Sequence, residues 1–133
     1  MINRVEKLSL LSEMIAFAKY DKDIKNIEYN FLLGVARQLE ISREDFDYLI
    51  DHPITYTHLK SHSERIVQFH RLVLLMNIDE DSSSKGAIKL YNFGLRMGLS
   101  HESISKVLYL MESFPNKIVP PDVLIDIFKT QYN

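Results

Sequence analysis

The stretch Ala18-Lys19-Tyr20-Asp21-Lys22-Asp23-Ile24-Lys25-Asn26-Ile27-Glu28 decides the fold. An apolar-periodic segment ends in it, two aspartates follow, and a second periodic segment begins, which is the pattern of a turn between two helices. The same arrangement returns at Met76-Asn77-Ile78-Asp79-Glu80-Asp81-Ser82-Ser83-Ser84, and Asp79 and Asp81 stand 58 positions after Asp21 and Asp23 (79 − 21 and 81 − 23). One fixed offset between two acidic turns points to an internal repeat.

Working outward, Val5, Leu8, Leu11, Met14, Ile15 and Ala18 recur at three- and four-residue spacing, which predicts an amphipathic helix from Asn3 to Lys19. Glu6, Lys7, Ser9, Ser12 and Glu13 are then expected outward. Beyond the turn, Ile27, Phe31, Leu32, Val35, Ala36 and Leu39 predict a second helix, with Asp23 or Asn26 as its cap and Glu28 in the first turn, where the helix dipole favours negative charge. Ser42 opens a third helix that carries Glu44 and Asp45 early, buries Phe46, Leu49 and Ile50, and ends at His52-Pro53. Residues 54–63 have mixed polarity and read as a connector.

From Arg65 the pattern restarts. Ile66, Phe69, Leu72, Val73 and Met76 fall 58 places after Leu8, Leu11, Met14, Ile15 and Ala18. Leu90, Phe93, Gly94 and Met97 then match Leu32, Val35, Ala36 and Leu39, Ser100 matches Ser42, and Ile104 and Val107 match Phe46 and Leu49, all without a gap. Phe114-Pro115-Asn116 stops the sixth helix, and Pro121-Asp122 opens a last one with Val123, Leu124, Ile127 and Phe128 inward. The expected fold is all-α with about seven helices, in a single domain over residues 1–133: two pseudo-symmetric three-helix repeats, about 3–51 and 63–113, and a C-terminal helix over about 120–131.

Composition narrows the function classes. With 16 basic and 18 acidic residues and a formal net charge of −2, the chain has no excess of positive charge for a phosphate backbone, so no nucleic-acid partner is expected. No apolar run is longer than that of Leu72 to Met76, far short of the ~20 residues of a membrane-spanning helix. The absence of cysteine rules out thiolate chemistry, and the mixed charges of residues 1–7 with Glu13 speak against a secretory signal, so a cytoplasmic location is expected.

The acidic turns are the chemical feature. Asp21, Asp23 and Glu28 could offer three oxygens to a hard divalent cation such as Ca, Mg or Mn, and Asp79, Glu80 and Asp81 crowd the second turn. Neither turn is an EF-hand, because the twelfth position from Asp21 or Asp79 is Leu32 or Leu90. The competing reading makes these carboxylates caps and solvated turn residues. His58 and His62 lie four apart, a zinc spacing on a helix, but the segment lacks apolar periodicity and both are expected in solvent; His70 is expected to pack half-buried. Ser82, Ser83 and Ser84 lack the glycine-bounded elbow of a hydrolase, and no glycine-rich phosphate loop occurs, so no enzyme activity is expected. Gly94 is expected to let two helices approach and Gly98 to end a helix. Tyr20, Tyr29, Tyr48, Tyr56, Tyr91 and Tyr109 are expected partly exposed, as at a protein-contact surface or a core margin.

Asp21, Ile24 and Glu28 between two helices, with the duplicated half and the phrase Ile66-Val67-Gln68-Phe69-His70-Arg71-Leu72-Val73-Leu74-Leu75-Met76, resemble the TerB-like tellurite-resistance family, whose usual turn is Asp-Gly-x-apolar-x-x-x-Glu. The resemblance covers nearly the whole chain. It implies two pseudo-symmetric helical halves, acidic residues that bind divalent cations, and a non-catalytic role in stress response through other proteins as partners. Two positions depart from the family pattern: Lys22 stands at the usual Gly, and Gly86 stands where the first repeat has Glu28. A cation-regulated interaction module is therefore the expected function, and a metal-free structural or adaptor domain is its alternative.

Overall fold

A computed structural model describes residues 2–20, 22–55, 59–78 and 84–131, with the side chains of residues 84, 85, 130 and 131 left out. Within them the protein is all-helical, with seven α-helices and no strand: α1 (Arg4–Lys19), α2 (Asn26–Gln38), α3 (Arg43–Asp51), α4 (His62–Asn77), α5 (Ser84–Arg96), α6 (His101–Met111) and α7 (Pro121–Gln131). Arg4 and His62, Asn26 and Ser84, and Arg43 and His101 begin paired helices, and each pair stands 58 positions apart. α1 and α4 also end in that register, as do α2 and α5, whereas α6 runs two residues past the counterpart of Asp51. No described helix is long and apolar enough to cross a membrane.

Local chemistry explains the matched boundaries. The Asn3 side chain accepts the Glu6 amide (2.8 Å) while Glu6 accepts the Asn3 amide (3.2 Å), a reciprocal cap that starts α1. Ser61 caps α4 by accepting the Glu64 amide (3.4 Å), and this polar first turn starts the helix at His62, ahead of the apolar pattern that begins near Arg65. Ser42 and Ser100 cap α3 and α6 through the amides of Asp45 and Ser103, each at 3.1 Å. Between the second and third helix of each repeat the chain wraps in the same way: Ile41 N–H donates to the Ala36 carbonyl (2.8 Å) and Leu99 N–H to the Gly94 carbonyl (3.1 Å). That wrap needs a left-handed residue, which is Gly98 (φ +82°) in one repeat and Glu40 (φ +60°) in the other.

The chain divides into two compact units, Met1–Leu59 and Lys60–Asn133. In the first, α1, α2 and α3 pack pairwise, burying Leu11, Met14, Leu32, Ala36 and Phe46. In the second, α5 packs on α4 and α6, and α7 packs on the same two helices, burying Phe69, Leu72, Leu90, Ile104 and Phe128. Each of these side chains except Ala36 contributes about 1.5–3 kcal/mol through the apolar surface it removes from water. Gly94 is a close-approach point, since a Cβ there would lie 2.7 Å from Ile104 Cδ1 and 3.0 Å from Phe69.

Position 12 of the repeat does the same task twice. Ser12 Oγ accepts the Ile54 amide (3.2 Å), and His70, 58 places on, donates from Nε2 to the Val119 carbonyl (3.2 Å). Each bond ties the chain after the third helix back onto the first helix of its own unit.

Several burial expectations fail. Ser9, Ser12 and Glu13 are buried, because from Ser9 to Ala18 enclosure extends around most of α1 rather than along one stripe. Val5 and Ile27 are exposed; both stand in first turns, where a helix has only begun to meet its neighbours. Phe31, Ile50 and Val123 are half-buried. The cap of α2 is the backbone of Lys25, with Asn26 already inside the helix and Asp23 in solvent.

Replacing Glu40 with Gly is expected to stabilise the protein by about 0.5–1 kcal/mol in denaturant unfolding, since it relieves a left-handed strain of roughly 1–2 kcal/mol at some cost in unfolded-state entropy. Burial lowers the His70 imidazole pKa, Arg71 adds to this, and the Val119 carbonyl opposes it. The unfolded chain therefore takes up this proton first as pH falls, so the His70 contribution to stability is complete above about pH 6.5 and is lost as pH drops from there through the lowered folded-state value. Unfolding of His70→Gln beside the parent across that range is expected to show a shallower loss of stability in the variant.

Candidate functional site

The first acidic turn joins α1 to α2, and of its three candidate ligands Asp21 lies outside the described residues. Asp23 is exposed. Glu28 is nearly enclosed, its side chain 5% exposed, and Oε1 receives two donors: the Lys22 ammonium at 2.9 Å and the Lys25 amide at 3.0 Å. The second donor is the reaching-back half of a capping box, and the partial positive charge of the α2 N-terminus adds to both. Lys22, at the position where the resembled family has Gly, thus places its charge on the carboxylate that a cation would use. The Lys22 side chain is one-third exposed, so the pair is only partly screened from water.

The second turn lacks that carboxylate. Asp79, Glu80 and Asp81 lie outside the described residues, and the counterpart of Glu28 is Gly86. A Cβ at Gly86 would approach Met76 Cγ to 3.2 Å, so the glycine makes room for a core methionine. Among the described residues no group of three or more His, Asp or Glu side chains is gathered closely enough to hold a metal ion.

The histidines divide differently from expectation. His58 lies outside the described residues, while His62 opens α4, is half-buried, and meets the Phe128 ring edge-on at 6.4 Å. Its burial comes from α7, which the local pattern around His62 does not announce. His70 is half-buried as expected. Ser82 and Ser83 lie outside the described residues. Tyr20, Tyr48 and Tyr109 are exposed, Tyr29 and Tyr91 are half-buried, and Tyr56 lies outside the described residues.

Two solvent-facing surfaces join tyrosines expected at the margin, Tyr48 and Tyr91, to exposed side chains that the sequence did not mark, Ile88, Leu95, Asp47 and Asp51. On α5, Ile88 is 62% and Leu95 42% exposed, seven residues apart on one stripe, with the half-buried Tyr91 between them. The Tyr91 hydroxyl contacts His101 Nδ1 at the start of α6, and the Arg96 guanidinium lies 4.1 Å over the Phe93 ring. On α3, Glu44, Asp47, Tyr48 and Asp51 are all exposed, and Tyr48 stacks on His52 at 4.1 Å. Comparing the two repeats position by position reveals the α5 stripe, because Ile88 and Leu95 occupy the places of Asn30 and Arg37.

Glu28→Gln keeps the shape of the side chain and deletes its charge, and is expected to destabilise the protein by about 1 kcal/mol, the difference between charged and neutral hydrogen bonds. Denaturant unfolding of this variant beside Lys22→Gln checks the value, with the lysine variant expected to lose less because the Lys25 amide still meets a carboxylate. A scan against protein-family models, a search of curated proteins and a search of solved structures each found no match to this chain.

Proposed function

We propose that the protein is a non-catalytic, TerB-like helical module that acts in the cytoplasm by binding other proteins, with the first acidic turn serving as a structural joint that needs no metal ion. The observation that carries this reading is the state of Glu28, whose Oε1 is held by Lys22 and by the Lys25 amide. A divalent cation there would displace an ammonium group that is already in place, and it would meet like charge if Lys22 remained nearby. Partner binding is supported by large apolar and aromatic side chains on helix faces that the core does not use, among them Tyr48, Ile88 and Tyr109. The stress-response setting rests on the resemblance.

A second reading has its own observation. Glu28 already binds a cationic group, and Asp23 of the same turn is exposed, so Ca, Mg or Mn could replace Lys22 and draw in Asp21 and Asp23. In that case the metal would set the angle between α1 and α2 and so change the surface offered to a partner.

Thermal unfolding of the metal-stripped protein with each of these cations, from micromolar to millimolar, separates the two. The metal-free reading expects no saturable change in Tm. The cation reading requires a saturable rise, since a ligand at a hundred times its Kd adds ~2.7 kcal/mol, and requires that rise to vanish in Asp21→Asn, Glu28→Gln.

A further inference from the structure

The two exposed faces described above complement each other. α5 carries Lys85, Lys89 and Arg96 and no carboxylate, a net +3, whereas α3 carries Glu44, Asp45, Asp47 and Asp51 against Arg43, a net −3. On α5 Lys89, Asn92 and Arg96 follow one another around the helix as a row beside the row formed by Ile88, Tyr91 and Leu95. An apolar stripe and a basic row therefore run side by side. On α3 the exposed Tyr48 lies among Glu44, Asp47 and Asp51, which places an aromatic ring within an acidic row.

Neither face is a requirement of the repeat. The α2 positions that correspond to Ile88, Asn92 and Leu95 are Asn30, Gly34 and Arg37, and the α6 positions that correspond to Glu44, Asp47, Tyr48 and Asp51 are Glu102, Ser105, Lys106 and Tyr109. At these positions α2 and α6, the latter packed on α7 as well, carry neither the apolar stripe nor the acidic row. Asp47 accepts the Tyr29 hydroxyl (2.6 Å) and pairs with Arg43, and Arg96 lies over Phe93, but the exposed Ile88, Leu95, Glu44 and Asp51 are not used by the core, and an intermolecular contact accounts for them together.

We infer that the α5 face of one copy docks on the α3 face of a second copy, with Tyr48 seated on the Ile88–Leu95 stripe and the acidic row facing Lys89 and Arg96. An α5-to-α5 contact would set like charges against each other, so charge selects the heterologous pairing. A contact of two helices buries less than a standard interface of roughly 1,600 Å², so the association is weak and depends on concentration. Each copy offers both faces, so every copy can give one contact and receive another.

Sedimentation of the whole protein from micromolar to millimolar concentration tests this. The expected result is a mass that rises with concentration and falls back in high salt. Two charge-reversed proteins, one with Lys89→Glu and Arg96→Glu and one with Glu44→Lys and Asp51→Lys, are each expected to remain monomeric. An equimolar mixture of the two is expected to associate again, because each reversed face then meets an opposite charge on the other protein. Ile88→Asn with Leu95→Arg, which installs the residues of the sister repeat, is expected to keep the helical circular dichroism of the parent and to lose association without reversing charge. A monomeric parent at the highest concentration, reversed variants that still associate, or a mixture that stays monomeric would each overturn the inference; a monomeric parent would leave these faces to a different protein.

Discussion

Each repeat depends on one backbone device, the left-handed wrap that ends its second helix and aims its third. The carbonyls of Ala36 and Gly94 would be left without partners at a plain helix end, and the wrap returns the amides of Ile41 and Leu99 to them. Two residues after the left-handed position comes the serine that caps the next helix, so the end of one helix and the start of the next are set within a few residues. The packing of α2 on α3 and of α5 on α6 follows, with Leu32, Phe46, Leu90 and Ile104 all fully buried. Glu40 is the costly version of this device and Gly98 the relaxed one.

The joint between the first and second helix is built on charge. Glu28 collects the Lys22 ammonium and the Lys25 amide on one oxygen, which starts α2 and holds the turn against it. The second repeat gives up this carboxylate for Gly86, and the space goes to Met76. The two repeats are therefore unlike in chemistry at this position: Glu28 holds an ion pair, and Gly86 makes room for core packing.

Duplication also leaves a record on the solvent faces. Buried positions match across the offset because both units must fill similar interiors, and exposed positions are released from that demand. At such positions α5 carries Ile88 and Leu95 where α2 has Asn30 and Arg37, and α3 carries Asp47, Tyr48 and Asp51 where α6 has Ser105, Lys106 and Tyr109. α7 is the other asymmetry. It covers α4 and α6, puts Phe128 against Phe69 at 5.6 Å, and encloses His62.

Helix content, the register of the repeat, the caps Ser42 and Ser100, the glycine at the end of α5 and the close approach at Gly94 were all legible in the chain, because each arises from chemistry among residues a few positions apart or from one spacing repeated. The candidate site was legible only as a set of residue types. Nothing in Asp21, Asp23 and Glu28 as letters says that Lys22 reaches Glu28, since that pairing depends on how the turn folds back over the start of α2. The burial of Ser9, Ser12 and Glu13, the exposure of Ile27 and the covering of His62 were likewise decided by tertiary packing. A helical pattern shows which residues share a face, whereas which faces are enclosed depends on segments that arrive from far along the sequence.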